Sequence, residues 1–155
     1  MDVINYFPAI VLSFLGLFVG VLITYLTLEE KDIIKKYVKL SNFALILTIT
    51  IVTAIMTGFN IWIGVFFVLM VGFTVYHIEV PSEIIYPLLG LILAFNSINP
   101  TLFFTNTFLI FALGITIGTL YVWENRKAGW LKNSVYLFWR NSPFLIIAII
   151  LYFFI

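Results

Sequence analysis

The sequence contains no cysteine. Disulfides, thiolate nucleophiles and sulfur-ligated metal sites are therefore excluded, and the redox compartment leaves no trace in the composition. Charge is nearly as scarce: Asp, Glu, Lys and Arg make up 10% of the residues, against roughly 25% in a typical soluble domain. The formal balance is +1, without the clustered Lys/Arg excess needed to neutralise phosphates, so no nucleic-acid partner is expected. A single histidine cannot supply the pair that would hold haem or zinc. No Ser/His/Asp set and no phosphate-cradling glycine loop with lysine occur either. The expectation is a protein that is not an enzyme and carries no cofactor or metal.

What is present is hydrocarbon. The 155 residues are 63% hydrophobic and 19% aromatic, with a mean hydropathy of +1.17. That length allows several membrane crossings of about 20 residues each and leaves almost nothing for a soluble domain. The expected fold is all-α: one transmembrane domain over 1–155, a polytopic and compact bundle of six helices. The spans fall at about 7–28, 42–57, 61–77, 82–98, 102–123 and 134–155, separated by short polar or Pro/Gly/Asn breaks. The first run is too long for a signal h-region and lacks a positive n-region, so it reads as a permanent span. The fourth span borrows length by starting at Ser82, an N-cap after Pro81 with Glu83 in the first turn. The sixth starts near Ser134 and lets Arg140 snorkel toward the headgroups.

Orientation follows from the cations. Lys31, Lys35, Lys36 and Lys39 lie between spans one and two, and Arg126, Lys127, Lys132 and Arg140 flank the start of the sixth. Six spans place all of them on the cytoplasmic side, as short cytoplasmic loops require, with both termini outside. Five spans would divide them between the two faces. Tyr25, Tyr76, Tyr86, Tyr121, Trp123, Trp130 and Trp139 then fall near the inner boundary, and Tyr6, Trp62 and Tyr152 near the outer one. A multi-pass protein of the plasma membrane is expected, and the abundance of Ile, Phe, Asn and Lys fits a prokaryote.

The most charged stretch is TLEEKDIIKKYVKL, residues 27–40. Its apolar residues Ile33, Ile34, Tyr37 and Val38 recur at i, i+1, i+4 and i+5, with Lys31, Asp32, Lys35, Lys36 and Lys39 on the other side. That pattern is a short amphipathic cytoplasmic helix after the first span, where anionic lipid attracts each lysine by about 1 kcal/mol. Glu29, Glu30, Lys31, Lys35, Lys36 and Lys39 are the candidate lipid or partner contact. The cytoplasmic acids and His77, with Glu79 and Glu83 at i+2 and i+6, do not form a metal motif and read as solvated boundary charges.

Small residues mark where helices approach closely in lipid. Gly16 and Gly20 in GLFVG and Gly114 and Gly118 in GITIG form two such stripes, Ser13 and Thr24 extending the first. Gly64 with Gly72, and Gly90 with Ala94, form lesser ones. These stripes serve either packing inside the bundle or docking of another subunit or a second copy. No formal charge falls within a span, which disfavours a proton-coupled pump or a buried acid pair. Thr50, Thr53 and Thr57 share a face of the second span and offer a narrow polar path, while Asn60, Asn96 and Asn99 suit tight outer turns.

The segment FTVYHIEVPSEIIYPLLGLILAF, 73–95, and SPFLIIAII, 142–150, resemble parts of prepilin peptidases. The likeness covers about a third of the chain. It implies that family's arrangement of membrane helices, with an aspartate near 77–79 and a Gly-x-Gly-Asp motif. No Asp stands near His77–Glu79, and AGWLK at 128–132 is the nearest remnant of the second motif. The general acid and base of an aspartyl protease are thus missing, so any kinship implies a catalytically degenerate protein. The expected role is a small accessory or structural membrane subunit, or a scaffold that binds lipids or partners through glycine-lined faces. The alternative is a channel or facilitator for a neutral or lipidic solute. Expected partners are membrane lipids, other membrane subunits or a second copy.

Overall fold

A computed structural model describes residues 3–27, 31–56, 81–125 and 129–154; the expected third span, with His77, Glu79, Gly64 and Gly72, lies outside the described residues, as do Glu29 and Glu30. The described residues are all helical, with no strand. The helices are α1 (Val3–Leu26), α2 (Lys31–Met56), α3 (Ser82–Asn96), α4 (Pro100–Glu124), α5 (Trp130–Asn141) and α6 (Pro143–Tyr152). Three of them, α1, α2 and α4, contain segments long and apolar enough to cross a membrane, and the bent pair α5–α6 makes up to four; α3 is a shorter apolar helix. At 1.5 Å per residue, the 24 residues of α1 reach about 36 Å and the 15 of α3 only about 22 Å.

The frame is the crossing of α1 and α4, which run parallel. Tyr6 stacks on Phe103 with centroids 5.1 Å apart at one end, and the Thr119 hydroxyl donates to the Gly20 carbonyl toward the other. Between these points the backbones nearly touch. A Cβ on Gly16 would lie 2.1 Å from the Phe111 carbonyl oxygen and one on Gly20 2.2 Å from that of Ile115. In return, a Cβ on Gly118 would lie 2.2 Å from the Leu17 carbonyl oxygen. Helices in lipid gain no hydrophobic drive to associate, so this interdigitation of bare backbone is what dispersion needs. The Ser13 hydroxyl also donates across the crossing, to the Thr107 carbonyl at 3.3 Å.

The other helices lean on this pair. α2 lies antiparallel on α4, with Lys35 near Glu124 at one end and Asn106 on Thr53 toward the other. It is a single helix. The expected interfacial helix and second span are not separated at Ser41-Asn42, because Asn42 finds an outside partner: its Oδ1 accepts the Thr116 hydroxyl of α4 at 3.0 Å. α3 packs on α6, and a Cβ on Gly90 would lie 2.7 Å from the Phe144 carbonyl oxygen. Ser82 is not the cap of α3: Pro81 occupies that position, and no side chain caps the helix.

The expected span at 134–155 falls on two helices, α5 and α6, bent by 40° between Asn141 and Pro143. Proline has no N–H and cannot bond to the carbonyl four residues back. That carbonyl belongs to Trp139, and the Ser142 hydroxyl donates to it at 2.9 Å instead. Asn99 does more than turn the chain: it caps α4, its side chain accepting the Leu102 N–H at 3.3 Å, with Pro100 following where its missing N–H costs nothing. Gly129 caps α5 at φ 77°, a left-handed conformation that only glycine adopts freely.

This geometry predicts that Gly20→Ala or Gly118→Ala destabilises the protein by about 1–3 kcal/mol, the range for overpacking a filled contact. Leu22→Ala, on the exposed face of α1, has little effect. Thermal unfolding in a mild detergent, with helix content checked by circular dichroism, separates the two.

Candidate functional site: the charged end of the bundle

The described charges gather at one end, where α1 and α4 finish and α2, α3 and α5 begin. Lys35 of α2 lies 3.9 Å from Glu124 of α4, both side chains substantially exposed. Such a pair contributes little, about 0–1 kcal/mol. Arg140, near the end of α5, pairs through Nε with Glu83 in the first turn of α3. Its guanidinium also stands 5.9 Å from the centroid of the Tyr136 ring, which itself stacks on Tyr121 of α4 at 5.4 Å. One cation thus ties α3, α4 and α5 together, and it does so next to the break at Ser142.

A second tie is neutral. Asn133 is buried, and its Nδ2 donates to the Tyr25 hydroxyl at 2.9 Å and to the Asn125 carbonyl at 3.3 Å. It joins α5 to the ends of α1 and α4. Asn133, Leu137 and Asn141 form the buried stripe of α5, leaving Trp130, Leu131, Val135, Tyr136 and Trp139 exposed. Beside that stripe runs a groove of about 300 Å³ lined by Phe18 of α1 and Ser134, Val135, Phe138 and Trp139 of α5.

The residues singled out from sequence divide into three groups. Glu29 and Glu30 lie outside the described residues, and Lys31 begins α2 but its side chain lies outside them as well. Lys35 faces Glu124, while Lys36 and Lys39 are exposed on the first turns of α2. Gly16, Gly20, Gly114 and Gly118 meet each other's helices in the interior, so these faces are occupied within the chain. Two residues of the threonine stripe are committed too: the Thr50 hydroxyl donates to the Ile46 carbonyl at 2.8 Å, and the Thr53 hydroxyl oxygen accepts Asn106 Nδ2 at 3.0 Å, while Thr57 lies outside the described residues. Among the described residues no cluster of three His, Asp or Glu stands ready for a metal ion.

Sequence reasoning placed Arg140 at the headgroups and Glu83 at a helix start without joining them. They are 57 residues apart, and no local pattern connects such a pair. The asparagines of α5 did carry a signal, since Asn133 and Asn141 stand at i and i+8 on one face, with Leu137 between them at i+4. No protein-family model, no curated protein and no solved structure matches the chain.

A double-mutant cycle on Glu83→Gln and Arg140→Gln is expected to give a favourable coupling of about 0.2–1 kcal/mol. Unfolding measured at low and high salt checks it, the coupling shrinking as salt screens the pair.

Proposed function

We propose that this protein is a small integral membrane subunit of a prokaryotic plasma membrane. It crosses six times with both termini outside, and it serves as an accessory or structural element rather than as an enzyme. The observation that carries this reading is the division of surfaces. The glycine faces are spent inside, on the α1–α4 crossing, while the outward faces are apolar walls: Ile51 and Ile55 on α2, Leu88 and Phe95 on α3, Phe104 and Phe108 on α4. A protein of this kind works by what it presents to lipid and to neighbouring subunits. Docking of a partner or a second copy therefore uses these outer walls and the charged first turns of α2, since a glycine stripe already filled by another backbone cannot take a second one.

The directions of the helices support the orientation. α1 and α4 run one way and α2 the other, and Lys35 with Glu124 and Arg140 with Glu83 pair toward the end at which α1 and α4 finish. Positive charge concentrated at one end is the signature of a cytoplasmic face. α2 finishes at the opposite end from that at which α3 begins, which supports a further crossing between them.

The cysteine-free sequence makes the topology directly measurable. Lys36→Cys and Lys132→Cys, each made alone, are expected to react with a membrane-impermeant maleimide from the cytoplasmic side of sealed vesicles and not from the other. Reaction from opposite sides would remove the six-span arrangement. Purification in mild detergent tests the role: a stoichiometric complex with another membrane protein is the expected product. A lone oligomer that conducts a neutral solute in liposomes would favour a facilitator instead.

A further inference from the structure

The groove between α1 and α5 has a composition that the accessory role alone does not require. Phe18, Val135, Phe138 and Trp139 give it apolar walls, and Ser134 is its one polar lining residue. Trp139 is 71% exposed and Val135 51%, so the groove opens outward along α5 rather than into the core. Lys132, Val135 and Trp139 stand at i, i+3 and i+7, one stripe of the helix. The Lys132 ammonium is therefore carried on the same side as the groove, on the side of the charged end. Seven residues of helix separate Lys132 from Trp139, about 10 Å at 1.5 Å per residue. Among the described residues no acid pairs with Lys132, whereas Arg140, the other cation of α5, is held by Glu83 and by the Tyr136 ring.

A cation above an apolar slot, with an aromatic at the boundary, is complementary to one molecule: an amphiphile with an anionic head and a hydrocarbon tail. We propose that this groove is a site for a single anionic phospholipid of the cytoplasmic leaflet. One acyl chain lies along Phe18, Val135 and Phe138, and the phosphate sits on Lys132. The slot holds a segment of chain and not a headgroup, which keeps the polar part of the lipid at the charged end. Its walls belong to helices tied to each other by the Asn133–Tyr25 bond, so the shape is preformed and the lipid loses little by ordering it. Ser134 supplies a hydroxyl for an ester or phosphate oxygen. The inference rests on the membrane reading above and specifies where, and for which headgroup, that surface is selective.

Native mass spectrometry of the full chain in mild detergent tests it, with phosphatidylglycerol, phosphatidylethanolamine and phosphatidylcholine of identical acyl chains offered in equal amounts. One phosphatidylglycerol is expected to be retained per chain, in about fivefold preference to the others, the factor one lysine supplies at an anionic surface. Lys132→Gln is expected to abolish the preference. Val135→Trp, which fills the slot, is expected to lower retention of every lipid, with Ser134→Leu as a second filler should the first not fold. Lys132→Arg, which keeps the charge, is expected to leave the preference intact. Equal retention of the three lipids by the unaltered protein would overturn the proposal. So would a loss on Lys132→Arg as large as on Lys132→Gln, competition by water-soluble glycerol phosphate, or a second polypeptide cross-linked at Val135→Cys in place of lipid. The membrane reading fails by a different measurement, the sided labelling of Lys36→Cys and Lys132→Cys, whatever lipid is retained.

Discussion

The contact between the backbones of α1 and α4 is the constraint to which the rest of the bundle conforms. Two helices can approach this closely only where neither carries a Cβ, and the four glycines at 16, 20, 114 and 118 provide that along two successive turns of each helix. The hydroxyls of Ser13 and Thr119, donating to carbonyls of the opposite helix at 3.3 Å, flank the crossing. They add direction more than energy, because interhelical hydrogen bonds in lipid average about 0.6 kcal/mol. The same closeness shapes the neighbours. Gly114 leaves space for the hydroxyl of Tyr86 on α3, a side chain with no solvent exposure, so the third helix is seated by the pair that the first two glycine stripes make.

The opposite strategy operates at the charged end. There the helices are joined by long polar side chains over short reach: Arg140 to Glu83, Asn133 to Tyr25 and Asn125, and Lys35 to Glu124. This is where a broken helix can be tolerated. Pro143 frees the Trp139 carbonyl, Ser142 satisfies it, and Arg140 anchors the segment before the break to α3. The segment after it returns to small-residue packing, with Gly90 against the Phe144 backbone and Tyr6 donating to the Ala148 carbonyl at 2.8 Å. α5 and α6 therefore belong to two regimes, one polar and interfacial, the other apolar, and the bend lies between them.

These two regimes also divide structure from function. The dry contacts consume the glycines and leave their faces unavailable, whereas the groove beside α5 is open to the surroundings and Lys36 of α2 is exposed. Among the described residues, the chemistry-bearing side chains at the charged end are mostly spent on one another: Arg140 on Glu83, Asn133 on Tyr25 and Lys35 on Glu124.

The amino-acid sequence by itself determined that the secondary structure of the described residues is helical and where most of those helices lie. A helix closes its hydrogen bonds within four residues, and in hydrocarbon no other open structure satisfies the backbone. Apolar run lengths, the Asn99-Pro100 start of α4 and the small-residue stripes were readable for that reason. Two local readings erred: Asn42 does not break α2, its side chain accepting the Thr116 hydroxyl of a distant helix, and Ser82 does not cap α3, since Pro81 takes that position. The tertiary structure alone decided which way the glycine stripes face, that Arg140 meets Glu83, and that Phe18 comes beside α5 to make a groove. Each of those depends on how helices far apart in the chain are brought together, and spacing within one helix carries no record of what another will press against it.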